Sequence, residues 1–422
     1  MPRNLLVLIS ASLGFFFVTA TTFTSLGYVL YTMVADLGWS QTAAGMSFSL
    51  LGLACGLASP LPPRLMKWFG TRATMVIGAL VLGSGFLFAG LVQGIGLFFV
   101  ATTLMGIGFS LIAPSPAVYL IATWFPDSSA RSMGFYFMTG ALGGVVGPLI
   151  VSTIVGLSGS WRLHWLCMAG ASLALAVLFM VTIRDAVRVE SMEQVKQAGA
   201  GGKDLVAPSA WSVSAALTSR TFLLIAFAML VVQTVVTTIH SVLVTHIASF
   251  GGGSAPGALA MSLLALTGTL AKGVSGTFAE KVSPRLLLVG GIAVQCVAVG
   301  LLCVTTTAGW AAVWAMLFGL GWGFSWLSAH VLLLRYFGAA IAGELVAMAT
   351  MATTFAVLGP LAAGWVADDT GSFVPVFAAS AGLLALAVGT SLLFLRPPAS
   401  APRRKGDAAS SELPEPSTLT VT

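Results

Sequence analysis

Twelve long apolar runs, each closed by charged residues, proline or glycine, constrain this chain more than any other feature. They fall near residues 5–34, 41–61, 73–93, 97–123, 132–157 and 162–183. After a polar stretch from Arg184 to Arg220, six more lie near 221–249, 257–279, 286–307, 309–335, 341–366 and 373–395. A helix needs about 20 apolar residues to cross the roughly 30 Å hydrocarbon core of a bilayer, and each run is of that order. A soluble domain has nowhere to bury them: 57% of the 422 residues are apolar and 8% charged, against about 45–50% and 25% in soluble proteins. Backbone polar groups in lipid must be satisfied within the chain, so segments of this kind are helices. The sequence predicts an all-α membrane protein of twelve transmembrane helices embedded in a lipid bilayer. The first run exceeds the roughly 7–15 residues of a signal-peptide core and is read as the first span.

If the N-terminus is cytoplasmic, all but two of the nineteen Lys and Arg fall on the cytoplasmic side; Arg162 falls outside and Lys272 within a span. That bias predicts a protein of the cell inner membrane whose termini and central loop are all cytoplasmic. The expected division is a six-helix bundle at 1–185, a cytoplasmic linker at 186–218, a second bundle at 219–396 and a tail at 397–422. The tail, with Arg403, Arg404 and Lys405 among Ser, Pro and Glu, has no apolar periodicity and is expected to be disordered. The net charge of +6 resides in these loops and forms no continuous stripe, which excludes a nucleic-acid partner. Cys55, Cys167, Cys296 and Cys303 lack zinc-site or redox-pair spacing. There is no phosphate-binding Gly-Lys-Ser/Thr and no HExxH, and His164, His240, His246 and His330 are scattered, so no enzyme, metal or cofactor is expected.

The two halves resemble each other. Met105-Gly106-Ile107-Gly108-Phe109 recurs as Phe318-Gly319-Leu320-Gly321-Trp322 and Arg72 as Arg285, both at an offset of 213. Trp124-Phe125 recurs as Tyr336-Phe337 and Gly147-Pro148 as Gly359-Pro360, both at 212. Four matches in order at a nearly constant offset indicate a duplicated six-helix unit, a signature of secondary transporters whose site lies between the halves.

Six plus six helices, a polar central loop and parallel repeats resemble the major facilitator superfamily across nearly the whole chain, which implies two pseudo-symmetric six-helix bundles and a monomer. The family's loop pattern after the second and eighth helices, G-x-x-x-D-R-x-G-R-R, is matched by Gly276-Thr277-Phe278-Ala279-Glu280-Lys281-Val282-Ser283-Pro284-Arg285. The first copy ends in Gly70-Thr71-Arg72 and has Lys67 where the acid belongs. The resemblance assigns gating to Gly276, Glu280, Lys281 and Arg285 and, in the weaker copy, to Gly70 and Arg72. Ser25-Leu26-Gly27, Asp36-Leu37-Gly38-Trp39-Ser40, Trp161-Arg162, Leu217-Thr218-Ser219-Arg220-Thr221-Phe222 and Gly359-Pro360-Leu361-Ala362-Ala363-Gly364-Trp365-Val366-Ala367-Asp368 are similar to the monocarboxylate porter and oxalate/formate antiporter branch. That likeness implies a small organic acid as substrate, with protons as a coupling partner.

Lys272 stands well inside the eighth helix, where an ammonium costs several kcal/mol unless partnered or hydrated. The branch usually places an arginine here to hold the substrate carboxylate, so the resemblance carries that role onto Lys272; the alternative is a lysine reaching to the cytoplasmic headgroups. Thr21, Ser25, Tyr28 and Thr32 in the first helix, and Gln233, Thr237, His240 and Ser241 in the seventh, recur at turn spacing. With Thr24 aligned to Thr237, both stripes are expected to line one cavity, or else to act as interhelical hydroxyl contacts. Trp322, Trp326 and His330 form a third stripe suited to a planar or hydrophobic acid, with packing or a lipid-facing girdle as the alternative, and Tyr119 is a similar candidate after the Pro114-Ser115-Pro116 kink.

The pattern also departs from the branch. Thr24 stands where many monocarboxylate porters carry lysine, and no Asp or Glu sits clearly inside a span, so coupling through a membrane carboxylate has no support in the sequence. Gly134, Gly143, Gly147 and Pro148 match most of the antiporter pattern G-x8-G-x3-G-P, which would imply proton-driven efflux of drugs or other hydrophobic compounds; tight helix packing explains the same residues. The reading is a secondary transporter of a small organic anion, a monocarboxylate, by alternating access and proton-coupled uptake, with efflux or anion exchange as the alternatives. The topology makes a direct prediction: single cysteines at Ser410 and Gly252 should be labelled by an impermeant maleimide from opposite sides of the membrane. Labelling of both from one side would refute twelve spans.

Overall fold

The computed structural model describes residues 3–125, 129–185, 211–251, 253–278, 282–337 and 339–398. Among them are twelve helices long and apolar enough to span a membrane: α1 (Arg3–Leu37), α2 (Gln41–Ala58), α3 (Leu61–Gly90), α4 (Ile95–Ile121), α5 (Phe135–Ser158), α6 (Trp161–Thr182), α7 (Arg220–Ala248), α8 (Ala255–Val274), α9 (Pro284–Leu302), α10 (Ala308–Phe337), α11 (Met348–Thr370) and α12 (Val374–Phe394). At about 1.5 Å per residue even the shortest approaches the hydrocarbon thickness. Serine starts several of them. The hydroxyls of Ser40, Ser160, Ser219 and Ser283 accept from the amides of Ala43, Leu163, Phe222 and Leu286, three residues on, satisfying N–H groups that have no partner inside the helix.

The duplication inferred from the sequence has a packing cause. A Cβ on Gly106 would collide with the Leu51 carbonyl of α2, and one on Gly108 with the Leu82 backbone of α3; in the second half Gly319 meets Leu264 of α8 and Gly321 meets Gly291 of α9. Two residues apart is just over half a helical turn, so each glycine pair lets α4 or α10 seat its backbone against two neighbours on opposite sides. Gly143 and Gly147 do the same for α5 against Phe16 and Ala20 of α1, and Gly359 for α11 against Thr238 of α7. The turn glycines repeat as well: Gly38 and Gly251 have positive φ after α1 and α7, and Gly159 and Gly371 after α5 and α11.

The first and last six helices meet along the α5–α8, α2–α11 and α1–α7 seams. At the ends bearing Asp36 and Asp368 the contact is tight. Gly45 abuts the Pro360 carbonyl, Gly364 that of Gln41 and Gly27 that of His240, each too closely for a side chain. Asp368 crosses this seam: its carboxylate accepts from the amides of Gln41 and Thr42 at 2.7 Å each and from the Thr42 hydroxyl. It thus caps the positive end of α2 from the other half. Arg162, the one cation expected outside, lies 3.5 Å from Asp36, which also accepts from the Trp161 indole at 2.9 Å.

Two spans, α1 and α11, are interrupted where continuous helices were expected, and α4 is interrupted at the kink expected from Pro114. α1 breaks at Thr22, whose φ of −105° and ψ of −107° are not helical. α4 breaks at extended Ala113 ahead of Pro114, and α11 tightens to a 3₁₀ turn over Thr353–Val357. α3 starts earlier than expected, at Leu61, with a kink at Gly70, φ +81°. If Asp368 holds this seam closed, its removal should loosen that end. Leu30, 3% exposed, packs beneath the seam with Ser241 and Phe373. A cysteine at position 30 should react several-fold faster with impermeant maleimide in an Asp368→Ala background, and an unchanged rate would remove the latch role.

Candidate functional site

The break in α1 creates the first feature of the site. Without a continuous helix, the carbonyls of Thr19 and Ala20 lose their usual amide donors; the Thr24 hydroxyl donates to Thr19 O at 2.8 Å and the Ser25 hydroxyl to Ala20 O. The Thr22 hydroxyl donates to Val18 O at 2.6 Å. Interrupted backbone is tolerated at membrane depth only where such groups are re-paired or face a cavity. Here both conditions hold, because Thr19, Phe23 and Thr24 line a cavity of about 630 Å³ between the halves.

Its walls come from both halves: Phe15, Phe109, Phe137, Gly140 and Gly144 on one side, His240, Ala265, Thr269, Lys272, Trp322 and Trp326 on the other. Among the described lining residues Lys272 is the one charged side chain. Its Nζ lies 3.6 Å from the centroid of the Trp322 ring, close enough for a cation–π attraction that offsets part of the cost of desolvation. The His240 ring meets Trp322 edge-on, with centroids 5.9 Å apart. His240 Nδ1 lies 2.8 Å from the Val236 carbonyl, and since a carbonyl only accepts, Nδ1 carries the proton and Nε2 of the neutral ring is left as an acceptor. A smaller compartment of about 210 Å³ adjoins, lined by Thr19, Phe48, Gln233, Thr237, His240 and Trp322.

Of the sequence candidates, Lys272, Thr24, His240, Trp322 and Trp326 thus share the larger space and Gln233 and Thr237 the smaller one. His330 is tied to this wall through Trp326, with Nδ1 2.7 Å from the Trp326 carbonyl and rings 5.3 Å apart. Tyr28 is buried among core residues, and Tyr119, packed against the same core on the short helix Ser115–Trp124, lies outside both lining sets. The expected stripe on α1 turns inward: Thr21 donates to Phe17 O at 2.7 Å and Thr32 to Val29 O at 2.8 Å. The break at Thr22 brings Phe15, Thr19, Phe23 and Thr24 to the cavity. Phe15, Thr19 and Phe23, with Thr269 and Ala265 one and two turns before Lys272, were not singled out in the sequence. Their helical spacing from Lys272 and Thr24 was the signal available.

The gating candidates divide similarly. Arg285 donates to the carbonyls of Ser391 and Leu392 at 3.4 and 2.5 Å, tying the start of α9 to the end of α12. In the first half Asp185 accepts from the Thr71 amide at 3.1 Å. A carboxylate therefore does cap the helix restarting after Gly70, supplied from the end of α6 and not from position 67. Arg72 lies one residue beyond that cap, in the kinked helix. Gly276 continues the α8 helix; Glu280 and Lys281 lie outside the described residues. Gly143 and Gly147 pack α5 on α1, with Pro148 in the following turn. Among the described residues no cluster of His, Cys, Asp and Glu has the makings of a metal site.

The hydroxyls at the α1 break make a stability prediction. Thr24→Val with Ser25→Ala leaves two carbonyls without donors, at about 1–3 kcal/mol per buried group. The double variant should unfold several degrees lower in detergent, and an unchanged melting temperature would show that these bonds do not hold the break.

The profile of the Major Facilitator Superfamily matches residues 11–358 and, separately, 261–420. "Multidrug resistance protein 1" of Bacillus subtilis (strain 168) is 25% identical over 178 residues, 42% of this chain and 45% of that protein, so the alignment spans under half of the curated relative. Two solved structures share the fold at a TM-score of 0.75 and 15% identity: the nucleoside transporter NupG, covering 93% of this chain and 98% of that one, and a D-xylose–proton symporter, covering 94% and 99%. The chain belongs to the Major Facilitator Superfamily and is a multi-pass secondary transporter.

Proposed function

We propose that the chain carries an organic anion, a monocarboxylate with an apolar body, across the inner membrane by alternating access of residues 1–185 against 219–396. The observation that carries this reading is the ammonium of Lys272 in a cavity otherwise lined by aromatic, small and hydroxyl-bearing side chains. A cation there attracts a negative group, and the walls of Phe15, Phe23, Phe109, Phe137, Trp322 and Trp326 accept the rest of the molecule. Both termini are assigned to the cytoplasm, on the Lys and Arg bias of the loops. Among the described lining residues there is no carboxylate, so proton-coupled uptake would run through Lys272 itself, the proton and the anion entering together.

Efflux of hydrophobic compounds is the second reading. It is favoured by the aromatic walls and by the likeness to "Multidrug resistance protein 1". Uptake of labelled organic acids into proteoliposomes separates the two. Lys272→Gln should lower anion transport about ten- to hundredfold, the scale of a hydrogen bond to a charged group. Lys272→Arg should keep part of it, since the charge survives while the geometry changes. Wild-type uptake by the Gln variant would sink the anion reading, and loss of anion transport with retained movement of a neutral hydrophobic compound would favour efflux.

A further inference from the structure

The site is built in two compartments, and the smaller one has chemistry of its own. The larger space holds the cation and most of the aromatic surface. The smaller, about 210 Å³, is reached past the shared residues Thr19, Phe23, Thr24, His240 and Trp322 and adds Gln233 and Thr237 from α7. Two polar atoms on this shared boundary are buried without a hydrogen-bond partner, Thr19 Oγ1 and Trp322 Nε1. The nearby hydroxyls are already committed: Thr24 donates to Thr19 O, and Thr237 to Ala356 O at 3.1 Å. The groups that remain are the Gln233 amide, which both donates and accepts, the Thr19 hydroxyl, the donor Nε1 of Trp322 and the acceptor Nε2 of His240. None of them carries a full charge in the neutral imidazole form, so this compartment suits a neutral hydrogen-bonding group and not a second carboxylate.

We infer that the substrate is an aromatic monocarboxylate bearing a neutral hydrogen-bonding substituent, such as a hydroxyl, with its carboxylate on Lys272 and the substituent in the compartment lined by Gln233, Thr19 and His240. This rests on the anion reading above and narrows it. The ring lies along Trp322, the wall common to both spaces. Gln233 is then a specificity-determining residue, since an acid lacking the substituent leaves buried polar groups unpaired.

Binding of three probes to the purified full-length chain tests this: phenylacetate, para-hydroxyphenylacetate and neutral phenylacetamide. The hydroxy acid should bind about tenfold more tightly than phenylacetate, roughly one hydrogen bond's worth, and phenylacetate more tightly than the amide. In a Gln233→Met, Thr19→Val double variant the hydroxyl preference should vanish while the preference for acid over amide persists, which also shows that the variant is folded. Two acids bound equally by the wild type, both above the amide, would overturn the two-compartment assignment and leave the anion reading intact. A hydroxyl preference that survives the double variant would overturn it as well. Acid and amide bound equally by the wild type would instead remove the anion reading on which the assignment rests.

Discussion

Everything in this structure follows from the absence of water in the hydrocarbon core, where each backbone polar group must find a partner in the protein. Helices meet that demand along most of each span. The interruptions are informative because something else must meet it there. At the α1 break the donors are the Thr24 and Ser25 hydroxyls, local to the break. At the 3₁₀ turn of α11 they come from other helices: Thr237 of α7 donates to Ala356 O and Ser49 of α2 to Val357 O. The second of these crosses between the halves. The irregular backbone of α11 is therefore partly satisfied by the partner bundle while the ends bearing Asp36 and Asp368 are together, and separation of those ends would have to supply a replacement.

That dependence gives the glycines their meaning. Helices in lipid gain little from apolar burial against each other, since lipid tails are equally apolar, so close backbone approach is what holds them together. Within each bundle the glycine pairs of α4 and α10 secure rigid packing, and across the seam Gly27, Gly45 and Gly364 let the halves touch backbone to backbone. The same device thus serves permanent contacts inside a bundle and separable ones between bundles. What distinguishes the separable seam is its polar closure: Asp368 on the N-terminus of α2 sits exposed at the rim, where water can replace it when the seam opens.

The spans and the duplication were legible because they depend on hydrophobic run length and on glycine spacing, both one-dimensional properties. The break at Thr22 was not, since Thr and Ser inside a span read equally well as hydroxyls bonded to their own helix, as Thr21 and Thr32 are. Missing that break misdirected the α1 stripe: it placed Tyr28 toward the centre and passed over Phe15, Thr19 and Phe23. On α7, which runs unbroken from Arg220 to Ala248, the same periodicity argument did bring Gln233, Thr237 and His240 together. The carboxylate that replaces the acid missing at position 67 was likewise illegible, because Asp185 reaches Thr71 from 114 residues away.

The position of Lys272 connects binding to motion. It lies on α8, which packs both on α10 within its own bundle and on α5 across the seam. Its ammonium rests on Trp322 of α10, while Gly140 and Gly144 of α5 form the facing wall. An anion on Lys272 would therefore touch both bundles at the surface along which they move. A ligand shifts a conformational equilibrium only through unequal affinity for its states, and a site composed of two bundles changes shape when they rock. The Trp322 ring belongs to the same bundle as Lys272 and travels with it. In a rocking of the two bundles the cation would keep its partner, and the contacts that would change are those to Phe15, Phe137 and the α5 glycines. On the proposed anion reading, the charge would fix what binds, and the uncharged wall of the first bundle would decide which state the bound molecule favours.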